Sequence, residues 1–385
     1  MKRKEVYNLK KSDWIIIIPF LMFIFTFGLL YLTLPDIEFS ENENKYLQQF
    51  PKVSFKNVFN GKFESDFETY LSDQIAGRDF WVSSNSVLLL ASGRMDVNGV
   101  YVGEDGYLLE IFDNIDFDRR DKQITALNKF SSYVDVPVYF AIAPNSVSVH
   151  VDKLPGFAVN YSQESYISEF YSGLSSEIVT IDFMSVLKEH SDEYIYYRTD
   201  HHWTTYGSLI AYNEIASVMG IKSFSEEDFV KTDVSKDFLG TFFSKGNFIV
   251  PPDIISRYDF KTPTDFTVTL DNGTSCKTFY DESYLEKKDK YAYFAHGNPA
   301  HLTVDSDSEN GKTLVIIKDS YAHCMLPFFV ESYDVIHMID PRYVKTNLTE
   351  YILALEPDEI LLLYNAKTLS DEVNFTRLGT APKFD

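Results

Sequence analysis

The stretch Thr313–Ala322 reads TLVIIKDSYA: four consecutive large apolar side chains, a lysine, then an acid and a serine. An apolar run this short and without alternation suits a strand covered on both faces, the mark of a parallel sheet. Similar runs come later at Tyr333–Ile339 (YDVIHMI) and Glu359–Tyr364 (EILLLY), and others precede at Val136–Ala143 (VPVYFAIA) and Ile178–Phe183. Between them lie helical patterns at Lys122–Tyr133, Glu164–Ser175, Met184–His190 and Thr205–Met219. In the last, Leu209, Tyr212, Ala216 and Met219 share a face, Thr204 or Thr205 can cap the start, and Gly220 ends it. Strand alternating with helix predicts an α/β fold with a mainly parallel sheet.

Two regions fall outside the alternation. Phe63–Ala91 reads as helix interrupted at Gly77-Arg78-Asp79, and Gly99–Leu109 reads as a hairpin around Glu104-Asp105-Gly106. Residues 221–310 hold short alternating runs such as Phe266–Leu270, turn signals such as Asp271-Asn272-Gly273, and several prolines; they read as an irregular, partly β insertion.

At the other end of the chain, Trp14–Leu34 is 21 residues without a charge. At about 1.5 Å per helical residue it spans a hydrocarbon core of about 30 Å. Trp14 and Tyr31 fall at interfacial positions, and Pro19 lies near the start, where a kink is cheapest. Lys2, Arg3, Lys4, Lys10 and Lys11 precede the run against Glu5 and Asp13, which keeps the N-terminus in the cytoplasm and exports the chain beyond Leu34. The alternatives are a cleaved signal peptide, for which Leu32–Pro35 offers no small-residue site, and a buried helix of a soluble domain. The expected organisation is a cytoplasmic segment 1–13, a transmembrane anchor 14–34, a stalk and helical region 35–95, and a catalytic domain 96–385.

Removing those five bases and two acids from totals of 35 and 57 leaves 30 and 55 in the exported part, a formal charge of −25. Such a surface repels phosphate backbones and argues against nucleic-acid binding. Cys276 and Cys324 are the only cysteines, so there is no disulfide framework; one bridge or two buried thiols fit equally.

Chemistry enters at Thr199-Asp200-His201-His202-Trp203. In an extended backbone the Asp200 and His202 side chains point the same way, so the carboxylate can orient the imidazole at Nδ1 and free Nε2 to act as a base. His201 would then point away and Trp203 would wall the site. Ser320, at the carboxyl end of the Thr313–Lys318 strand, is the matching nucleophile, with the N–H groups of a helix opening at Tyr321 facing the oxyanion; Pro327 would disturb that helix. The bland alternatives are helix capping by Asp319-Ser320 or by Asp200, and surface histidines. His201 and His202 could also bind a metal, but His150, His190, His296 and His323 show no ligand spacing with them. Neither a metal nor a cofactor is expected.

The Thr199–Trp203 segment resembles the motif that names the DHHW protein family, which is similar to the AlgJ- and AlgX-type polysaccharide O-acetyltransferases of the SGNH-hydrolase-like superfamily. The resemblance extends to Ile75–Phe80 (IAGRDF), Gly103–Leu108 (GEDGYL), Tyr291–Pro299 (YAYFAHGNP), Lys318–Ala322 (KDSYA) and Asp340–Tyr343 (DPRY). It implies an SGNH-like three-layer αβα domain in which Asp200 is the orienting acid, His202 the base and Ser320 the nucleophile. It also implies a polysaccharide acceptor and a multi-pass acyl-exporting partner of the membrane-bound O-acyltransferase type. Lys318-Asp319-Ser320 departs from the Gly-Asp-Ser of ordinary SGNH esterases, so the oxyanion donors do not carry over; Asn298 is a candidate side-chain donor, or a turn asparagine before Pro299. Arg78 and Arg342 read as substrate contacts or structural ion-pair partners. The expected function is O-acetyl transfer to an extracellular glycan, with an acetyl esterase and a non-catalytic surface assembly protein as alternatives.

Overall fold

A computed structural model describes residues 10–382; the basic residues Lys2, Arg3 and Lys4 of the expected cytoplasmic flank lie outside that range. The chain forms two compact units, one running to Ala91 and including Gly246–Phe248, the other comprising Ser92–Lys245 and the chain from Ile249 onward.

The second unit is built on an eight-stranded sheet: β1 (Val138–Ala143), β2 (Ile178–Ile181), β3 (Phe266–Leu270), β4 (Ser275–Cys276), β5 (His301–Ser306), β6 (Thr313–Lys318), β7 (Val335–Ile339) and β8 (Glu359–Asn365). Their order across the sheet is β4-β3-β5-β7-β6-β8-β1-β2. β7, β6, β8, β1 and β2 are mutually parallel, with Ile316 opposite both Met338 and Leu361. β5, β3 and β4 continue the sheet as antiparallel strands. The fold is therefore mixed α/β with a large, mainly parallel sheet. Residues 221–310, expected as an insertion, also extend the sheet itself through β3–β5 and form a long hairpin, Phe229–Phe238 with Asp253–Phe260.

Unbroken apolar runs are needed because both faces of the parallel strands are buried. Leu314, Ile316, Leu361 and Leu363 pack with Leu209, Tyr212 and Ile215 of helix Thr205–Met219 on one face. Val315, Ile317, Ile360 and Leu362 pack on the other with Leu127 and Phe130 of helix Phe117–Ser131 and with Tyr166 and Phe170 of helix Gln163–Ser172. Each such side chain contributes about 1.5–3 kcal/mol of burial. Thr204 caps helix Thr205–Met219 by accepting from Gly207 N at 3.1 Å, and Gly220 closes it with φ 69°.

One expected helix is missing. After β6 the chain makes two 3₁₀ turns, Ser320–Ala322 and Leu326–Phe329, the second with Pro327 as its second residue. Proline has no N–H to give an α-helix, while Tyr321, Phe328 and Phe329 are drawn into the core. The Gly99–Leu109 hairpin forms as Val100–Val102 and Leu108–Glu110, antiparallel. Cys276 and Cys324 are both free thiols, so the bridge their number allowed is not made.

In the first unit, helix Lys11–Thr33 is 23 residues long and apolar enough to cross a membrane, as a signal sequence also can be, and none of it is buried. After a short helical turn at Phe55–Phe59 come helices Lys62–Asp73 and Arg78–Ala91, divided at the expected Gly77. Arg78 is a structural ion-pair partner here, joined to Glu43 and, at 3.1 Å, to Asp73.

Candidate active site

β1 leads on to β2 at one edge of the sheet, whereas β6 leads to β7 in the opposite direction. The carboxyl ends of β1, β8 and β6 thus bracket a topological switch point, where open α/β sheets form their crevices. Asp319 ties these ends together: its carboxylate accepts from Asn365 N at 2.7 Å and from Tyr321 N at 2.9 Å, and Asn365 Nδ2 reaches Ala143 O at 3.1 Å. Ser320, the next residue, is left at the rim.

The Thr199–Trp203 segment reaches this rim as a bend rather than as extended chain. Buried Asp253 fixes it, accepting from Arg198 N (2.9 Å), Thr199 N (2.8 Å) and Thr199 Oγ1 (2.6 Å). Asp200 Oδ1 takes both His202 N at 3.1 Å and His202 Nδ1 at 2.6 Å, an Asx-type turn that brings acid and imidazole together. Asp200 Oδ2 accepts from Thr241 N at 2.7 Å. Gly240 lies so close that a Cβ there would sit 2.3 Å from Asp200 Cβ. Burial would raise the Asp200 pKa, but the neighbouring imidazoles of His201 and His202 and these hydrogen bonds hold it well below the usual carboxylate range.

With Nδ1–H given to Asp200, His202 Nε2 is an acceptor, and Ser320 Oγ lies 2.8 Å from it. The imidazole stacks on the Tyr291 ring at 3.6 Å between centroids and 8° between planes. Tyr291 Oη in turn reaches Ser320 O at 3.2 Å. Asp200, His202 and Ser320, 118 residues apart at their widest single link, therefore form one continuous hydrogen-bonded line. Such a line can lower the cost of removing the serine proton and hold the resulting imidazolium beside a carboxylate.

Other expected residues are placed differently. His201 does not point away: its ring lies 3.8 Å from that of His202 and its Nδ1 is 3.6 Å from Asp200 Oδ1, because the bend turns both side chains inward. Asp200, His201 and His202 offer ligand atoms within 4.8 Å of one another, yet His202 Nδ1 is already committed to the carboxylate. Trp203 does not wall the cavity; it is fully buried against Phe183 and Tyr321 and donates from Nε1 to Tyr321 O at 3.0 Å. The Tyr321 N–H is occupied by Asp319, so it is not a spare oxyanion donor, and no helix dipole stands behind it.

A cavity of about 300 Å³ opens over Ser320 and is lined by Asp200, His202, Asn298, His323 and Arg342 among others. Asn298 Oδ1 accepts from Lys318 Nζ at 2.8 Å, and its Nδ2 donates to Tyr343 Oη at 3.3 Å, which takes one of its two amide hydrogens. Lys318 is buried at the end of β6, with His323 Nε2 at 2.6 Å and Asp340 Oδ2 at 3.8 Å. Burial pushes its pKa down to about 8, against the pull of Asp340. Burial, and then the Lys318 charge, push His323 well below its ordinary value, so it is neutral. Arg342 pairs with Asp340 at 2.6 Å and borders the same cavity. Sequence reasoning missed Tyr291, Lys318 and His323; their only signal was that they lie in or beside the Tyr291–Pro299 and Lys318–Ala322 segments.

An α/β protein with a Ser–His–Asp line at a sheet switch point is the class this geometry defines. The family model described as DHHW protein matches residues 90–339, well over half the chain, and the chain belongs to that family. A crystal structure of a DHHW family protein from Eubacterium siraeum shares the fold with TM-score 0.65 at 21% identity, over 75% of this chain and 98% of that one. Bacillus cereus PatB1 with a sulfonyl adduct aligns with TM-score 0.61 at 19% identity, over 72% and 97%. A second PatB1 structure gives 0.60 at 21%, over 70% and 97%. No curated protein sequence matches the chain.

Proposed function

We propose that this protein is a membrane-anchored O-acetyltransferase that modifies an extracellular glycan through an acetyl-serine intermediate on an SGNH-like three-layer αβα domain spanning 96–385. The observation that carries the reading is Ser320 Oγ at 2.8 Å from the one imidazole nitrogen that Asp200 leaves free. Ser320 Oγ attacks the acetyl carbonyl while its proton passes to His202 Nε2. The donor's bond to the carbonyl breaks, and the leaving group departs with that proton. A sugar hydroxyl then gives its own proton to His202, attacks the acetyl-serine, and Ser320 leaves reprotonated. Asn298 Nδ2 stabilises the two tetrahedral oxyanions.

Helix Lys11–Thr33 serves as a single-pass anchor with the N-terminus in the cytoplasm. Because acetyl-CoA is a cytoplasmic donor, the acetyl group reaches this side through a multi-pass acyl-exporting membrane-bound O-acyltransferase, which is the expected partner; the acceptor is a cell-surface or secreted polysaccharide.

The full-length protein in detergent, given an activated acetyl ester with and without oligosaccharide acceptors, tests this. Acceptor-dependent acetylation that Ser320→Ala abolishes is the expected result. Hydrolysis indifferent to every acceptor would make it an esterase, and activity retained in both Ser320→Ala and His202→Ala would remove the catalytic reading. A sulfonyl fluoride offers a turnover-independent probe, expected to label Ser320 and to be blocked in His202→Ala.

A further inference from the structure

Lys52–Lys62 (KVSFKNVFNGK) contains three lysines and no acid, in a chain whose formal charge is −22. Its apolar side chains are not tucked in: Phe55 is 87% exposed, Phe59 86% and Val53 71%. The segment is nevertheless well formed. Phe55–Phe59 makes a helical turn capped by Ser54, whose Oγ accepts from Asn57 N at 3.2 Å. Pro51 is buried at one end, and Gly61, with φ 74°, opens helix Lys62–Asp73 at the other. Phe55, Val58 and Phe59 stand three and four residues apart and so share one face of the turn. Lys62 pairs with Asp66 at 2.8 Å, while among the described residues no carboxylate pairs with Lys52 or Lys56.

The chain just before this turn is linked to the carboxyl end of the apolar helix inside the same compact unit. The Tyr31 hydroxyl donates to Leu71 O, and its ring lies 6.4 Å from that of Tyr70, which lies 5.4 Å from Phe50, two residues before Lys52. Tyr31 is the aromatic at the end of the span where a bilayer meets water. A patch that begins three residues after that link, with aromatics projecting and lysines beside them, has the composition of an interfacial membrane contact.

We propose that the Val53–Phe59 turn is a second membrane contact, inserting Phe55 and Phe59 among the acyl chains of the outer leaflet while Lys52 and Lys56 meet anionic lipid headgroups. The occupant is a lipid surface. The patch matches it by charge, which the acidic remainder of the exported chain does not, and it is continuous with the anchor through Tyr31, Tyr70 and Phe50.

The test uses the full chain reconstituted into vesicles of phosphatidylcholine with phosphatidylglycerol, carrying Phe59→Cys labelled with an environment-sensitive fluorophore on a Cys276→Ser, Cys324→Ser background. The label is expected to shift to the blue relative to detergent-free aqueous reference dye and to be quenched by lipids brominated on the upper acyl chain. Phe55→Ser should diminish that quenching, and Lys52→Glu with Lys56→Glu should abolish the dependence on phosphatidylglycerol. Phe55→Ser alters an already exposed side chain, so the fold survives it. Quenching of Trp14 by the same brominated lipids, read in a Trp81→Phe variant where the fully buried Trp203 adds only an unquenched background, reports the anchor separately. Quenched Trp14 with an unquenched label at 59 overturns the proposal while leaving the anchor intact; loss of both signals overturns the anchor and the patch together. A label that responds only to a soluble anionic glycan polymer, and not to lipid, overturns it in favour of that polymer.

Discussion

In the parallel half of the sheet, β6 buries every residue from Leu314 to Lys318 and β8 every residue from Glu359 to Asn365, whereas in the antiparallel half β5 buries only Leu302 and Val304. The first half is a two-sided core whose carboxyl end leads into Ser320. The second is a half-solvated extension, and the irregular chain before it brings Tyr291 and Asn298 to the cavity over Ser320. The contrast teaches that one region sets where the Ser320 hydroxyl stands and the other sets what surrounds it.

Substitutions at the seam should therefore alter chemistry without unfolding the protein. The largest loss is expected for Ser320→Ala or His202→Ala, about 10⁶-fold in kcat for ester turnover, since groups acting as a unit fail together. Asp200→Asn should cost about 10⁴-fold, because it disturbs tautomer and orientation rather than removing the base. A melting curve unchanged in all three would show that the site and the scaffold separate as described; a collapse in His202→Ala would break that separation.

Asn298→Ala and Lys318→Met should each lose about 10²–10³-fold in kcat, the scale of one oxyanion donor, with KM little changed. Lys318 adds a pH signature. Its ammonium is needed to hold Asn298, so activity should fall as pH rises through about 8, and Lys318→Arg should move that limb to higher pH. The stability linkage has the opposite sense: in solution the lysine titrates near 10.5, so between about 8 and 10.5 the unfolded chain binds the extra proton and stability rises with pH. Lys318→Met should flatten that rise in chemical denaturation. Gly240→Ala, whose methyl would displace Asp200, should cost about 10²-fold through misplacement alone.

The halves themselves can be compared by stability. Ile316→Ala in β6 is expected to lose about 2–5 kcal/mol. Asp305→Asn, exposed on β5, should stay within about 0.5 kcal/mol. Equal effects would mean that the antiparallel strands share the core's burden.

This asymmetry also governs what could be read from the sequence. TLVIIK and EILLLY announced themselves because two-sided burial leaves no polar position to confuse the pattern, and helix Thr205–Met219 was bounded to the residue by its threonine cap and terminal glycine. Asp200, His202 and Ser320 were legible as a set because each sits at the boundary of such an element. The bend at Asp200 was not, since the spacing of two fits either an extended chain or an Asx turn, and only the second brings His201 inward. The 3₁₀ turns after Ser320 were hidden by a helix-like composition that Pro327 and core burial override. Trp203 looked like a wall because nothing local shows that Tyr321 O awaits its indole. Lys318 looked like the polar end of a strand; its bonds to Asn298 and His323 join positions 20 and 5 residues away, which no local pattern encodes.

The ring at position 202 is pinned on three sides, by Asp200, by Ser320 and by the flat face of Tyr291. Those contacts aim it at a single cavity of about 300 Å³. Under the proposed acetyl-serine reaction, donor and acceptor take turns over that one ring, and initial rates measured against both substrates are expected to plot as parallel lines.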